Sequence, residues 1–74
     1  MSNQQFFDSI QQMKLLRDKA LFSDSLHLKH RAVRQLASYG QDAICYINEI
    51  AESDATLWQL CQEIIEKIRL GYLN

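Results

Sequence analysis

The sequence predicts an all-α fold, and three observations lead to this prediction. The 74 residues contain no proline and only two glycines, so little in the chain interrupts a helix. Apolar residues recur three and four positions apart through most of the chain, which is the period of an amphipathic helix. Capping and turn residues divide this pattern into four segments near residues 3–21, 25–39, 41–51 and 54–70. At this length the helices are expected to form one small domain, residues 1–74, with a thin core.

The first predicted helix covers residues 3–21, within an N-terminal segment of residues 1–22. Ser2 and Gln5 resemble a capping box at its start. We interpret the apolar stripe of this helix as core rather than as a ligand groove, because amphipathic helices bury such a face. The stripe consists of Phe6, Ile10, Met13, Leu16, Ala20 and Leu21.

The second predicted helix, residues 25–39, follows a turn and capping cluster at residues 23–25. Val33 is predicted to flank its inner face, which consists of Leu28, Ala32, Leu36 and Tyr39. The opposite face carries four basic residues: His27, His30, Arg31 and Arg34. Gly40 is predicted to end the helix with a positive φ.

The third and fourth predicted helices, residues 41–51 and 54–70, are also joined by a short connection. Asp42 lies in the first turn of the third helix, where a negative charge suits the helix dipole. Ser53 or Asp54 is predicted to cap the fourth helix. The predicted inner faces are Ala43, Ile44, Ile47 and Ile50 in the third helix, and Leu57, Leu60, Cys61, Ile64, Ile65 and Ile68 in the fourth.

An internal repeat relates the second predicted helix to the fourth, as expected of stacked helical pairs. A shift of 29 residues carries Leu28, Ala32, Leu36 and Tyr39 onto Leu57, Cys61, Ile65 and Ile68.

Residues 26–70 resemble a HEAT repeat of the short, phycobilisome-lyase-like type, followed by the first helix of a second repeat. An ordered series of residues carries the resemblance: Leu28-Lys29, Ala32, Leu36-Ala37, Tyr39-Gly40, Ala43-Ile44, Ile47 and Ile50. The resemblance implies a four-helix α-solenoid fragment, with a HEAT-like helical hairpin between flanking helices. It also implies a protein-binding role, and it brings no catalytic residues because the repeat itself has none.

Charge is divided unevenly along the chain. Residues 1–40 hold six Lys or Arg and three acids, a net charge of +3, whereas residues 41–74 hold two and six, a net charge of −4. Such halves can attract copies of the chain head to tail, or they can simply be solvated faces. A basic stripe on the second predicted helix consists of His27, Lys29, His30, Arg31 and Arg34, and no acid lies within residues 26–40. We expect this stripe either to be solvated or to bind phosphates or an acidic protein.

No catalytic, cofactor or metal site is predicted. His27 and His30 have a spacing that suits a metal, but Asp24 is the only further ligand nearby in the sequence. Cys45 and Cys61 are too few for a disulfide framework and are expected to be free thiols, with Cys61 inert in the core. An enzyme or lyase subunit is therefore the most distant interpretation.

The leading hypothesis is a non-enzymatic protein-interaction or scaffold module, and the alternative is a nucleic-acid-binding accessory protein that uses the basic face. Phe7, Leu15 and Phe22 fall outside the core stripe of the first helix, so a homodimer is predicted. The competing interpretation is a monomer in which this helix covers the hairpin on two sides. Without a signal peptide or membrane span, the expected location is the cytoplasm. The predicted partner-binding residues are His27, His30, Arg31, Arg34, Phe7 and Trp58.

Overall fold

The computed structural model describes the backbone of residues 2–71 and the side chains of residues 7–71. This part of the chain contains four α-helices and no strand: α1 (Ser2–Phe22), α2 (Leu26–Ala37), α3 (Ile44–Ser53) and α4 (Trp58–Leu70). The predicted all-α fold with four helices is therefore confirmed. The side chains of the predicted capping box and of Phe6 lie outside the described residues.

The connections between the helices are short, and their capping residues were largely predicted. The Ser25 hydroxyl caps α2 by accepting a hydrogen bond from the Leu28 amide at 3.4 Å. The last two helices begin later than predicted, because 3₁₀ turns at Gly40–Ala43 and Ala55–Leu57 precede them. Gly40 has a φ of 69°, which confirms the predicted positive φ, but α2 ends at Ala37, so Gly40 does not end the helix as predicted.

The four helices pack as two hairpins that lie side by side. Helix α1 packs chiefly against α2, and α3 packs chiefly against α4. Between the hairpins, α1 contacts α3 and α2 contacts α4. The α1/α2 hairpin thus forms one side of the molecule, and the α3/α4 hairpin forms the other.

This pairing differs from the predicted one, in which α2 and α3 formed the central hairpin. These two helices are consecutive but contact each other little, because their connection passes from one hairpin to the other. The apolar period of a helix shows which face is buried, but it does not show which neighbouring helix covers that face. The repeat across 29 residues nevertheless relates equivalent elements, since α2 and α4 are each the second helix of a hairpin.

The buried face of α2 is also rotated from the predicted one. Leu28 was predicted to face inward, yet its side chain is 48% exposed, whereas its repeat equivalent Leu57 is fully buried. Val33, which was predicted to flank the inner face, is fully buried. The inner face is a double row of apolar residues, Ala32, Val33, Leu36 and Ala37.

The core draws on all four helices, and no polar or charged side chain among residues 7–71 is buried in it. Leu36, Ile47 and Ile50 are its largest fully buried side chains together with Leu57. Its buried members are Met13, Leu16, Ala20, Ala32, Val33, Leu36, Ala37, Ala43, Ile47, Ile50, Ala51, Leu57, Cys61, Ile64, Ile65 and Ile68.

Candidate interaction surface

The outer face of α1 carries three large apolar side chains that the core does not cover. Phe7, Leu15 and Phe22 are 61%, 53% and 77% exposed. At 100° per residue they share one side of the helix, opposite the buried Met13 and Ala20. They extend over about 22 Å, because each helical residue adds roughly 1.5 Å. Their predicted position outside the core stripe is confirmed.

A groove between α1 and α2 adjoins the part of this surface that Leu15 and Phe22 form. It is lined by Lys19 and Ser23 from α1 and its following turn, and by Leu28, Arg31, Ala32 and Gln35 from α2. A shallow patch that includes Leu15 and Phe22 shares Lys19 and Ser23 with the groove. We call the combined surface the α1/α2 face; its exposed residues are Leu15, Asp18, Lys19, Phe22, Leu28, Arg31 and Gln35.

Leu28 is the member of this face that the sequence interpretation missed. The adjacent apolar pairs Ala32-Val33 and Leu36-Ala37 carry the signal that would have identified it. When the buried face of a helix is centred on such pairs, Leu28, which lies four residues before Ala32, falls at the edge of that face. Leu28 therefore becomes the apolar wall of the groove instead of part of the core.

The outer side of α2 provides the positive charge of this region. His27, Arg31 and Arg34 are exposed and His30 is half-buried. None of the ion pairs found among the described residues involves these four side chains. Arg31 also lines the groove, which joins the predicted basic face to the apolar face of α1.

Lys29 was predicted to belong to the basic stripe, but in the structure it is paired with an acid. Its ammonium Nζ donates a hydrogen bond to Oδ2 of Asp54 at 2.9 Å, and both side chains are largely covered. The acid lies 25 residues further along the chain, so a search within residues 26–40 could not find it. The ion pair ties α2 to the turn between α3 and α4.

Asp54 is also one of the two residues, Ser53 or Asp54, that were predicted to cap the fourth helical segment, and it is the one that does so. Its Oδ1 accepts hydrogen bonds from the Thr56 hydroxyl at 2.6 Å and from the Thr56 amide at 3.0 Å. The Thr56 hydroxyl and the Lys29 ammonium lower the pKa of Asp54 from 3.8 to about 2. The carboxylate therefore stays charged throughout the neutral range.

We expect Asp54→Ala to lower the free energy of unfolding by about 1 kcal/mol at neutral pH, because it removes the cap and leaves Lys29 without its acid. The folded-state pKa lies below the unfolded value, so this stabilisation is present above pH 3.8 and is lost as the pH falls towards about 2. Thermal unfolding across that range measures it. Asp54→Asn keeps a capping oxygen, so it should cost less at neutral pH while losing the same acid dependence. An unchanged acid dependence in Asp54→Asn would contradict this assignment.

Arg17 forms ion pairs with two acids, and one of them, Asp18, lines the α1/α2 face. Its guanidinium donates hydrogen bonds to Asp18 and Glu49, each at 3.2 Å, and lies 5.7 Å from the centre of the Tyr46 ring. Asp18 lines the shallow patch together with Lys19, whereas Lys19 and Arg31 line the groove without an acid. The groove is consequently apolar with a positive rim, and the shallow patch carries one charge of each sign.

The side of the molecule formed by α3 and α4 carries charges of both signs. Glu52, Glu63 and Glu66 are exposed there, and so are Lys67 and Arg69 in the last turn of α4. On α4, residues spaced four positions apart form a row with an apolar side chain at each end. These end residues are Trp58, which is 55% exposed, and Leu70, which is 59% exposed. We call this row the α4 ridge; it consists of Trp58, Gln62, Glu66 and Leu70. The predicted binding residues therefore lie on separate surfaces: Trp58 on the α4 ridge, Arg31 in the α1/α2 face and Phe7 nearer the start of α1.

The two cysteines are both free and differ in their surroundings. Cys61 is fully buried, and burial together with the charge of Asp54 raises the pKa of its thiol to about 11. This agrees with the predicted packing role. Cys45 is exposed on α3. Within residues 7–71, no three His, Cys, Asp or Glu side chains come together as a candidate metal site, so His27 and His30 gain no further ligand.

Comparisons with known proteins give no further information on this surface. No family model matches the chain, and neither a curated protein nor a solved structure matches it significantly. In the described part of the chain, none of the helices combines the length and the apolar character that crossing a bilayer requires.

Proposed function

We propose that this protein is a non-enzymatic protein-interaction or scaffold module and that it binds through the α1/α2 face. The observation that carries this proposal is that exposed apolar side chains on α1 lie next to the groove between α1 and α2. Phe22 and Leu15 lie on α1 at one edge, and Leu28 lies in the groove beside them. Contiguous apolar surface of this kind usually marks a binding site, because covering it removes hydrocarbon from water.

The shape and charge of the face favour an amphipathic helix as the bound element. A helix laid into a groove between two others inserts apolar residues at three- and four-residue spacing. Lys19 and Arg31 line the same groove, so carboxylates beside those apolar residues would be attracted and basic partners repelled. The proposed partner is therefore acidic and apolar along one helical face.

We propose further that the two hairpins form a HEAT-like repeat pair. Side-by-side packing of α1 with α3 and of α2 with α4 supports this proposal, as does the repeat across 29 residues. Repeat proteins bind partners on surfaces formed by equivalent helices. In this proposal the repeat boundary falls between α2 and α3 instead of between α1 and α2.

A comparative pull-down tests the binding role. The immobilised chain and its Leu28→Asp variant are exposed to an extract of the native source, with Gln41→Asp as a control that adds the same charge in the exposed connection between α2 and α3. We expect proteins retained by the wild type and by Gln41→Asp to be lost from Leu28→Asp. Equal retention by all three chains would contradict binding through this face.

Nucleic-acid binding is the second candidate function, and the exposed Arg31 and Arg34 on one side of α2 favour it. The pairing of Lys29 with Asp54 removes one cation from that side. Titration of single-stranded and duplex nucleic acid at several salt concentrations separates the two functions. Binding that weakens steeply with salt and is lost in Arg31→Ala would favour this alternative. Our main proposal predicts no such binding.

A further inference from the structure

We propose that the outer side of α1 pairs antiparallel with the same side of α1 in a second copy, and that this pairing competes with the partner of the α1/α2 face. The pairing includes Phe7, which lies outside that face. The competition rests on the proposed function, because Leu15 and Phe22 belong to both surfaces. The predicted homodimer thereby gains a defined helix, a defined register and a consequence for binding.

Five exposed residues form a row along the outer side of α1. They lie within about 80° around the helix axis at roughly 100° per residue, opposite the buried Met13 and Ala20. Large apolar side chains stand at both ends and at the centre, and one polar side chain lies in each interval. We call it the α1 row; it consists of Phe7, Gln11, Leu15, Asp18 and Phe22.

The apolar residues of the α1 row match those of a second copy about a two-fold axis. Helices related by a two-fold axis perpendicular to them run antiparallel, so each residue faces the one equally far from the midpoint on the other helix. Phe7 and Phe22 both lie about 11 Å from the midpoint between Lys14 and Leu15, at roughly 1.5 Å per residue. Phe7 of each copy therefore meets Phe22 of the other, and the two Leu15 side chains meet at the centre. Aromatic side chains contribute strongly to binding once an interface covers them.

The polar residues of this side match in the same register. Gln11 and Asp18 both lie about 5 Å from the midpoint, so the Gln11 amide is placed to donate a hydrogen bond to the Asp18 carboxylate of the other copy. Asp8 and Lys19 lie on one flank of the row, and their distances from the midpoint differ by about 3 Å. Asp8 of each copy is thus within reach of Lys19 of the other.

The net charge of this side does not oppose pairing with its own copy. Its exposed charged residues are Asp8, Lys14, Asp18 and Lys19, so two acids balance two bases. The two Lys14 residues come near each other at the midpoint, but each also lies within about one helical turn of Asp18 on both copies. A surface with charge of one sign repels its own copy, whereas a neutral surface with both signs does not.

The pairing regulates the α1/α2 face by covering part of it. Leu15 and Phe22 become buried between the two copies, whereas Leu28 and Arg31 belong to α2 and lie outside the α1 row. A partner that covers Leu15 and Phe22 therefore binds the separated chain, and its binding shifts the population from dimer to monomer.

Sedimentation equilibrium of the purified full chain, diluted from about 100 µM to about 1 µM, tests the pairing over the micromolar dissociation constants expected of small interfaces. A reducing agent is present throughout, because the exposed Cys45 could otherwise form disulfide-linked dimers. We expect an equilibrium between monomer and dimer, since a two-fold contact closes on itself. A monomer at every concentration, or a mass that rises past that of a dimer, would overturn the pairing.

Phe7→Asp separates the pairing from the proposed function, because Phe7 is exposed in the α1 row and lies outside the α1/α2 face. We expect this variant, once circular dichroism shows that it is folded, to dimerise at least roughly tenfold more weakly than the wild type or the charge-matched Gln41→Asp. Leu28→Asp should dimerise like the wild type. Unchanged dimerisation of folded Phe7→Asp would overturn the pairing, whereas the loss of partners from Leu28→Asp tests only the proposed function.

Two opposite charge changes test the antiparallel register. Asp8→Lys and Lys19→Asp each place like charges opposite one another, so each variant alone should dimerise roughly threefold more weakly than the wild type. An equimolar mixture should restore the dimer, because the two positions again carry opposite charges across the contact. A mixture that dimerises no better than either variant alone would show that the register is wrong.

An amphipathic helical peptide with leucines at three- and four-residue spacing and glutamates beside them tests the competition. We expect sedimentation to show that the peptide converts the dimer into monomers with bound peptide. A peptide that binds and leaves the dimer intact would overturn the competition. If the chain dimerises but binds no peptide, the proposed function fails and the competition fails with it, while the pairing stands.

Discussion

Replacing Leu36 with alanine is expected to lower the free energy of unfolding by about 2–5 kcal/mol, the usual cost of removing a leucine side chain from a packed core. Leu36 is fully buried in a cluster that joins α2 to the other three helices. A domain of this size has little stability to lose, since even ordinary proteins are held by only about 5–15 kcal/mol. Much of the variant should therefore be unfolded at physiological temperature.

Thermal and urea unfolding monitored by circular dichroism measure the effect. Arg34→Ala and Leu28→Ala are the controls, since both remove side chains that are exposed on the same helix. Leu28→Ala is the sharper one, because the sequence alone predicted Leu28 to face inward. We expect it to shift the midpoint far less than Leu36→Ala. Equal losses from Leu28→Ala and Leu36→Ala would show that the helix is rotated from the described orientation.

Gly40→Val is expected to destabilise the fold by about 2–3 kcal/mol, because a β-branched residue is strained at positive φ. Gly40 has a φ of 69° in the connection between the hairpins. A Cβ atom built at this position meets no atom within 4 Å, so the cost comes from backbone strain and not from collision.

A second substitution at the same position isolates the contribution of backbone strain to the lost stability. Asparagine tolerates the left-handed region better than valine does, so Gly40→Asn should recover part of the lost stability. Equilibrium unfolding of the two variants gives the difference directly. If Gly40→Val and Gly40→Asn unfold at the same midpoint as the wild type, the positive φ is not required for the connection.

The existence of four helices and several residues of their connections could be predicted from the sequence, since both depend on local physics, whereas the 3₁₀ turns that delay the last two helices could not. Helical periodicity, the Ser25 and Asp54 caps and the positive φ of Gly40 each involve residues close together in the chain. The pairing of helices could not be predicted in the same way. It depends on how faces fit across the whole domain, and the apolar face of α2 suits either α1 or α3 by period alone.

The candidate surface was predicted only in part, for a similar reason. The exposure of Phe7, Leu15 and Phe22 could be predicted, because these residues lie outside the core stripe of the first helix. Two other features could not be predicted, because each joins residues from different parts of the fold. The ion pair with Asp54 takes Lys29 out of the basic stripe, and Leu28 lines one groove with Lys19.

The most direct test of the central claim, that the α1/α2 face is a protein-binding surface, is an NMR titration of the folded chain. The isotope-labelled chain is titrated with an amphipathic helical peptide that has the proposed partner chemistry, leucines at three- and four-residue spacing with glutamates beside them. We predict that amide signals change or broaden mainly on the α1/α2 face, around Leu15, Phe22, Leu28 and Arg31, and that Leu28→Asp removes these changes. Changes confined to α3 and α4, or changes that Leu28→Asp leaves unaltered, would contradict the claim.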